Sequence, residues 1–351
     1  MWGKAEALDK TFLLMTSPEA EFLAYTVCAL AGAGKPCPAT IQGTTVYLNV
    51  TTRNGADGLI DEAYPTVNAT STTTTTTKVP NTQPADDADL QAVVDSMRAA
   101  DTDRALDSDY TLDWGNKVSG TKDVSPNPLF KQLNEDVFNR PIYQKQIYIY
   151  DQQYFHADTC IQEPGMSGFR KAAVMDWLNT VYNTTIFQQA YRYLLKKGKC
   201  TDQNDLQTKL FMLWFGTYNR CTSNKSILGS SGWEHVFCGE WKENTVDGHH
   251  SWVNYYRQEK AGQINYYGYY SYEKQLTGTF QYQWSKAFKK TGGFLIGTSP
   301  AFDFSLLSIC VLTHPNSANC KFTLDGFHLG VTSYTEACDA GTCISTAYPT
   351  D

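Results

Sequence analysis

A chain of 351 residues is longer than most single domains, and a hydrophobic content of 42% is enough to bury a sizeable core. The formal net charge of −7 excludes a surface that grips nucleic acid everywhere, so any such contact must come from a local basic lining. No segment is long and apolar enough to span a bilayer as a helix.

Residues 1–66 repeat the end of the chain. Trp2-Gly3-Lys4-Ala5 aligns with Trp284-Ser285-Lys286-Ala287. At the same offset Phe12-Leu13, Thr16-Ser17-Pro18 and Phe22 fall on Phe294-Leu295, Thr298-Ser299-Pro300 and Phe304. Cys28 falls on Cys310, Cys37 on Cys320 after one residue of slippage, and Ala63-Tyr64-Pro65-Thr66 on Ala347-Tyr348-Pro349-Thr350. A repeat of this kind implies a tandem array. The first copy is only the tail of a unit: Ala7 stands where the second has Lys289, and Glu62 where it has Thr346. We therefore expect residues 1–66 to be a partial, degenerate, non-catalytic copy, and the chain to be cut from a longer tandem protein.

Ten cysteines and four Asn-x-Ser/Thr sequons, at Asn49, Asn68, Asn183 and Asn224, point to an oxidising, secreted setting. Met1-Trp2-Gly3-Lys4 opens no signal peptide, which the expected truncation accounts for. The repeated pair Cys28/Cys37 and Cys310/Cys320 predicts a loop-closing bridge in each copy, and Cys338 with Cys343 is a further candidate. Pairing among Cys160, Cys200, Cys221 and Cys238 stays open.

Residues 67–85, with threonines from Thr72 to Thr77 and Pro80 and Pro84, carry no apolar period and read as a linker. From residue 86 to 351 runs a complete unit. Asp89–Met97, Ala172–Ala190 and Leu206–Phe215 place apolar residues at helical spacing, and Lys196, Lys197 and Lys199 close one of these helices. After Gly229 the pattern changes. Trp252–Tyr256 and Tyr266–Tyr272 alternate aromatic and polar residues and read as strands. Thr298-Ser299-Pro300 starts a helix that runs to about Leu312.

Three of the six histidines fall between Ser231 and Trp252, in the company of Glu234 and Glu240. Two imidazoles are the minimum for paired general base and general acid work, and neighbouring carboxylates can fix their tautomers. Short strands joined by Lys242-Glu243-Asn244-Thr245 would bring His235 and His250 together. Two other readings stay open: packed core histidines, and a zinc set of His235, Glu240 and His250, although no CxxC or HExxH motif is present.

Gly232-Trp233-Glu234-His235-Val236-Phe237-Cys238-Gly239-Glu240 and Gly248-His249-His250-Ser251-Trp252 resemble the central motifs of the EndoU (XendoU-like) endoribonuclease family. Gln283–Lys289, Phe294–Phe304 and Thr346-Ala347-Tyr348-Pro349 extend the resemblance in order, from about residue 86 to 351. It implies an α+β fold in which a helical N-terminal half supports a sheet-rich C-terminal half that carries the catalytic cleft. It further implies cleavage of single-stranded RNA at uridylates by 2′-OH transesterification, leaving 2′,3′-cyclic phosphate and 5′-OH ends. In that scheme His235 and His250 divide the roles of base and acid, and Lys289 stabilises the transition state. Glu234 and Glu240 orient the imidazoles, while Thr346 and Tyr348 line the nucleotide pocket. A divalent cation, Mn²⁺ or Ca²⁺, is implied without an identifiable ligand set; the expected protein is a monomer with no DNA or membrane partner. Two positions depart from the family pattern: Gly293 replaces a serine, and His249 replaces a common aromatic, adding a third imidazole that could bind metal or complicate the titration of the other two. The rival readings are an RNA-binding pseudoenzyme and a secreted metal-binding module.

Overall fold

The computed structural model describes residues 28, 37–41, 44–52, 60–66 and 87–350, and divides into two compact units, Met1–Lys78 and Val79–Asp351. The linker expected over residues 67–85 lies outside the described residues.

In the first unit β1 (Cys37–Ile41), β2 (Thr44–Thr52) and β3 (Ile60–Thr66) form an antiparallel sheet, and Cys28 is bonded to Cys37. Cys37 pairs with Leu48, Leu48 with Pro65, and Asn49 with Tyr64.

The second unit begins with helices: α1 (Asp87–Ala100), α2 (Pro141–Asp151), α3 (Gly168–Tyr182), α4 (Thr185–Lys196) and α5 (Gln203–Phe215). One periodic stretch expected over Ala172–Ala190 is in fact two helices. Thr184 breaks it, its hydroxyl accepting from the Phe187 amide at 3.1 Å as the cap of α4. Between α1 and α2 lie β4 (Tyr110–Leu112) and β5 (Phe130–Leu133), and after α5 come the short β6 (Thr217–Tyr218) and β7 (Ser230–Ser231).

Two sheets follow. The first contains β8 (Glu240–Lys242), β9 (Thr245–Asp247), β10 (Ile264–Glu273), β11 (Thr277–Trp284) and β12 (Ala287–Gly292), in the order β10-β11-β12-β9-β8. The second contains β13 (Ser317–Leu324), β14 (Phe327–Cys338) and β15 (Gly341–Thr350) in sequential order. Its register runs parallel to that of the first unit: Cys320 pairs with Val331, Val331 with Pro349, and Thr332 with Tyr348.

Two further helices lie in this half. α6 (Trp252–Lys260) stands where alternation predicted a strand. Trp252 to Tyr256 are all buried, the polar Asn254 included, so the alternation does not mark one exposed face and carries no usable period. Tyr255 then reaches Glu259 one turn on, at 3.1 Å. α7 (Pro300–Thr313) starts as expected, with Pro300 in its first turn and the Ser299 hydroxyl accepting from Phe302. It is buried at every position but Leu312, as befits a helix that is apolar on all sides.

Cys310–Cys320 and Cys338–Cys343 pair as expected, and Cys160 pairs with Cys221, leaving Cys200 and Cys238 free. The chain is thus an α+β fold whose C-terminal region is rich in strands. No helix of the described residues is long and apolar enough to cross a membrane.

Candidate active site

The site is organised by one wide helical turn, Glu234–Cys238, closed by a bond from the Gly239 amide to the Glu234 carbonyl. Trp233 and Phe237 are four residues apart and share a face, which inserts into the helical layer. Trp233 packs on Phe155 at 4.9 Å and Trp177 at 5.5 Å, and Phe237 packs on Trp214 at 5.5 Å. His235, midway between them, faces the opposite way.

The second histidine segment is fastened directly to this turn. The His249 amide donates to the His235 carbonyl and the His250 amide to the Val236 carbonyl, each at 2.7 Å. The β8–β9 hairpin, with Glu240 opposite Asp247, returns the chain to make this contact. Gly248 allows the approach: its φ is +64°, and a Cβ there would stand 2.0 Å from the His235 carbonyl oxygen.

A cleft of about 380 Å³ is lined by His235, His250 and Lys289 together with Thr346 and Tyr348 of β15. The two imidazole centroids are 6.1 Å apart. His235 Nδ1 is hydrogen-bonded to Glu240 Oε1 at 2.9 Å, and its Nε2 faces the Thr346 hydroxyl at 3.1 Å. His250 donates through Nδ1 to the Gly293 carbonyl at 2.8 Å and stacks on Tyr348 at 4.9 Å. A carbonyl can only accept, so the neutral His250 ring carries its lone pair on Nε2. Lys289, on β12, donates to the Gly248 carbonyl.

Burial dominates the electrostatics. It pushes His250 down to about 3, with the Lys289 charge adding to the effect, and holds His235 well below the ordinary imidazole value, helped by Arg220. Burial also lowers the Lys289 ammonium to about 8, against the pull of Asp247 and Glu240. For Glu240 burial raises the carboxyl to about 8, and the Arg220 guanidinium opposes it.

Two expectations need correction. Glu234 does not orient an imidazole: it is fully buried, and neither carboxyl oxygen has a hydrogen-bond partner. Adjacent residues on a helical turn point to different sides, and Glu234 does not line the cleft; burial raises its carboxyl, with Glu163 and then Glu240 adding to the effect and Arg170 opposing it. His249 is not a third imidazole of the cleft either. It is fully buried, donates or accepts at Nδ1 with the Tyr282 hydroxyl (2.8 Å), and stacks on Trp284 at 4.4 Å. Burial keeps it neutral.

Arg220, Asp247 and Ser230 were not singled out by the sequence. The Ser230 hydroxyl donates to Glu240 Oε1 at 2.9 Å, and Arg220 lies 3.2 Å from the same oxygen and 3.1 Å from Asp247 Oδ2. Only the cysteine at position 221 marks this loop in the sequence, and its bond to Cys160 is seen in the structure alone. His235, Glu240 and Asp247 bring three potential metal-ligating atoms within 4.8 Å of one another. A divalent ion does not fit among them while the Arg220 guanidinium contacts both carboxylates.

The family model for the endoribonuclease XendoU matches residues 89–349. A uridylate-specific endoribonuclease of Paralichthys olivaceus is 34% identical over 262 residues, which cover 71% of this chain and 66% of the relative. Its counterpart in Mus musculus is 30% identical and covered over 60% of its length, so the chain spans less than two thirds of these relatives. Uridylate-specific endoribonuclease D of Xenopus laevis is 32% identical, with 72% of this chain and 84% of the relative covered. Among solved structures, XendoU, a splicing-independent snoRNA-processing endoribonuclease, superposes with a TM-score of 0.62 at 26% identity, covering 74% of this chain and 96% of that one. Motifs, fold and family match cover the same unit of the chain, which belongs to the XendoU endoribonuclease family.

Proposed function

We propose that the chain is an endoribonuclease that cleaves single-stranded RNA at uridylates. The observation that carries this reading is the convergence of His235, His250, Lys289, Thr346 and Tyr348 on one cleft, with the imidazoles 6.1 Å apart. RNA supplies its own nucleophile, so the protein has to move protons and stabilise charge. His250 Nε2, free to accept, takes the proton of the 2′-OH as that oxygen attacks phosphorus. The P–O5′ bond breaks, and His235, made cationic against Glu240, gives its Nε2 proton to the leaving oxygen. The products are a 2′,3′-cyclic phosphate and a 5′-OH. The Lys289 ammonium offsets the charge that grows on the phosphoryl oxygens. Tyr348 offers a stacking face for the base, and Thr346 a hydroxyl beside His235. Mn²⁺ or Ca²⁺, implied by the family resemblance, has no step in this scheme.

We further propose that residues 1–66 are a non-catalytic copy of the C-terminal part of the 86–351 unit. This is supported by the parallel strand registers and by Ala7 and Glu62 at the positions of Lys289 and Thr346. Four disulfides among the described residues, and exposed sequons at Asn183 and Asn224, support a secreted protein.

The test is cleavage of a fluorescent oligonucleotide with a single uridine. Wild type is expected to cut it, and His235→Ala and His250→Ala to lose roughly 10²–10⁴-fold in rate, the usual worth of a general acid or base. Binding without turnover in the wild type would point to a pseudoenzyme. Metal uptake without RNA binding would point to a metal-binding module.

A further inference from the structure

We propose that Arg220 is the resident cation of the cleft: it takes the place that His235, Glu240 and Asp247 would offer a divalent metal ion, and it positions β15 against His235. The second half of this proposal rests on the nuclease reading above; the first does not.

Four residues besides Tyr218 meet the guanidinium, Glu336 among them with Oε1 at 3.8 Å from Nη2. Nε forms an ion pair with Glu240 Oε1 at 3.2 Å, Nη1 bonds Asp247 Oδ2 at 3.1 Å, and Nη2 bonds the Ser345 carbonyl and, at 3.2 Å, its hydroxyl. A planar fork of donors reaches in three directions in a way that a lysine ammonium cannot. Arg220 is itself fixed. It lies 5.3 Å over the Tyr218 ring, Tyr218 bonds the Ile344 carbonyl at 3.0 Å, and the next residue, Cys221, is tied to Cys160.

Charge decides between arginine and metal. With its carboxyl ionised against the guanidinium, Glu240 joins Asp247 and Glu336, which lies 3.8 Å from Arg220, in bringing three negative charges to this end of the cleft, and Arg220 and Lys289 bring two positive ones. An added divalent ion would leave the cluster with a net positive charge in a buried setting, which is costly. Removing Arg220 deepens the negative charge: Glu240 Oε2, already buried without a partner, and Asp247 would then face each other with no guanidinium between them.

The same fork links the two sheets. Glu240 and Asp247 belong to β8 and β9, whereas Ser345 precedes Thr346, whose hydroxyl stands 3.1 Å from His235 Nε2. Arg220 thus fixes the distance between the imidazole and the strand that carries Thr346 and Tyr348. It is a positioning residue and is not assigned contact with the reacting atoms.

The experiment is a Mn²⁺ titration of the full chain followed by electron paramagnetic resonance, with single-turnover cleavage measured on the same samples. Wild type and Asp247→Asn are expected to bind the same number of ions. Arg220→Met is expected to gain one ion per chain, and Arg220→Met/Asp247→Asn to lose it again. Cleavage by Arg220→Met is expected to fall at least tenfold and to recover in part with added guanidinium ion, a recovery that mere misfolding would not give. Arg220→Lys, which keeps a charge but loses the fork, is expected to gain no ion and to cleave slowly. Loss of a bound ion in Asp247→Asn relative to wild type would overturn the proposal, as would Arg220→Met that gains no ion, or that cleaves at the wild-type rate. If the wild type cuts no RNA, the nuclease reading falls while the ion count still decides what Arg220 replaces.

Discussion

His250 and His235 differ in what holds their Nδ1 atoms, a neutral carbonyl in one case and a carboxyl group in the other. That difference assigns the roles: an imidazolium gains more from Glu240 than from Gly293. Burial keeps both rings neutral in the free protein, so the acid form of His235 has to be induced by the substrate phosphate. Uridine 3′-phosphate is therefore expected to raise the pKa of both rings, read from their NMR shifts between pH 4 and 8; unchanged titration would argue against a phosphate seat here. Lys289 sets the other limb. With its ammonium lowered to about 8, the charge is present below that pH and lost above it. Cleavage should decline as pH rises through about 8, and Lys289→Arg, which keeps its charge, should move that decline upward. Most of these residues were legible in the sequence, because His235, His250, Lys289 and Tyr348 carry chemistry that a motif displays. Glu234 was not, because a carboxylate next to a histidine in sequence says nothing about which side of a turn it takes.

At the level of elements, the site depends on a wide turn held in an aromatic layer and on a hairpin that brings His250 back to it. The hairpin was readable from its Lys242–Thr245 turn, whereas α6 was misread because Trp252–Tyr256 is buried on both faces. Gly248→Ala should disturb the join most, since the added Cβ meets the His235 carbonyl and the backbone must hold a positive φ. We expect a destabilisation of about 1–3 kcal/mol in chemical unfolding, together with a larger loss of kcat than of binding. Phe237→Ala, which empties a fully enclosed site between Trp214 and Trp177, should cost about 3–5 kcal/mol. Retention of near-wild-type stability in that variant would mean that the turn does not depend on its aromatic anchors.

For the whole molecule, the two units make different demands. Residues 79–351 contain every side chain assigned to the cleft, so a chain of that span is expected to cleave uridine oligonucleotides at the full-length rate. A large deficit would show that the first unit contributes to catalysis. Cys160–Cys221 closes the longest disulfide loop among the described residues, with a separation of 61, and anchors the segment that carries Arg220. Its removal in a double serine variant should lower stability by about 4 kcal/mol. The sequence revealed the repeated cysteines because they recur at a fixed offset; it concealed Arg220 because ion pairs between distant loops leave no periodic trace. One further consequence follows from the amide bonds that join His249 and His250 to the turn of His235. The proton-transfer pair and Lys289 stand with one sheet, and the grip on the nucleotide stands with the other. An ill-matched base is therefore expected to shorten the residence of an RNA without slowing the cut once it is seated, so selectivity should reside in dissociation.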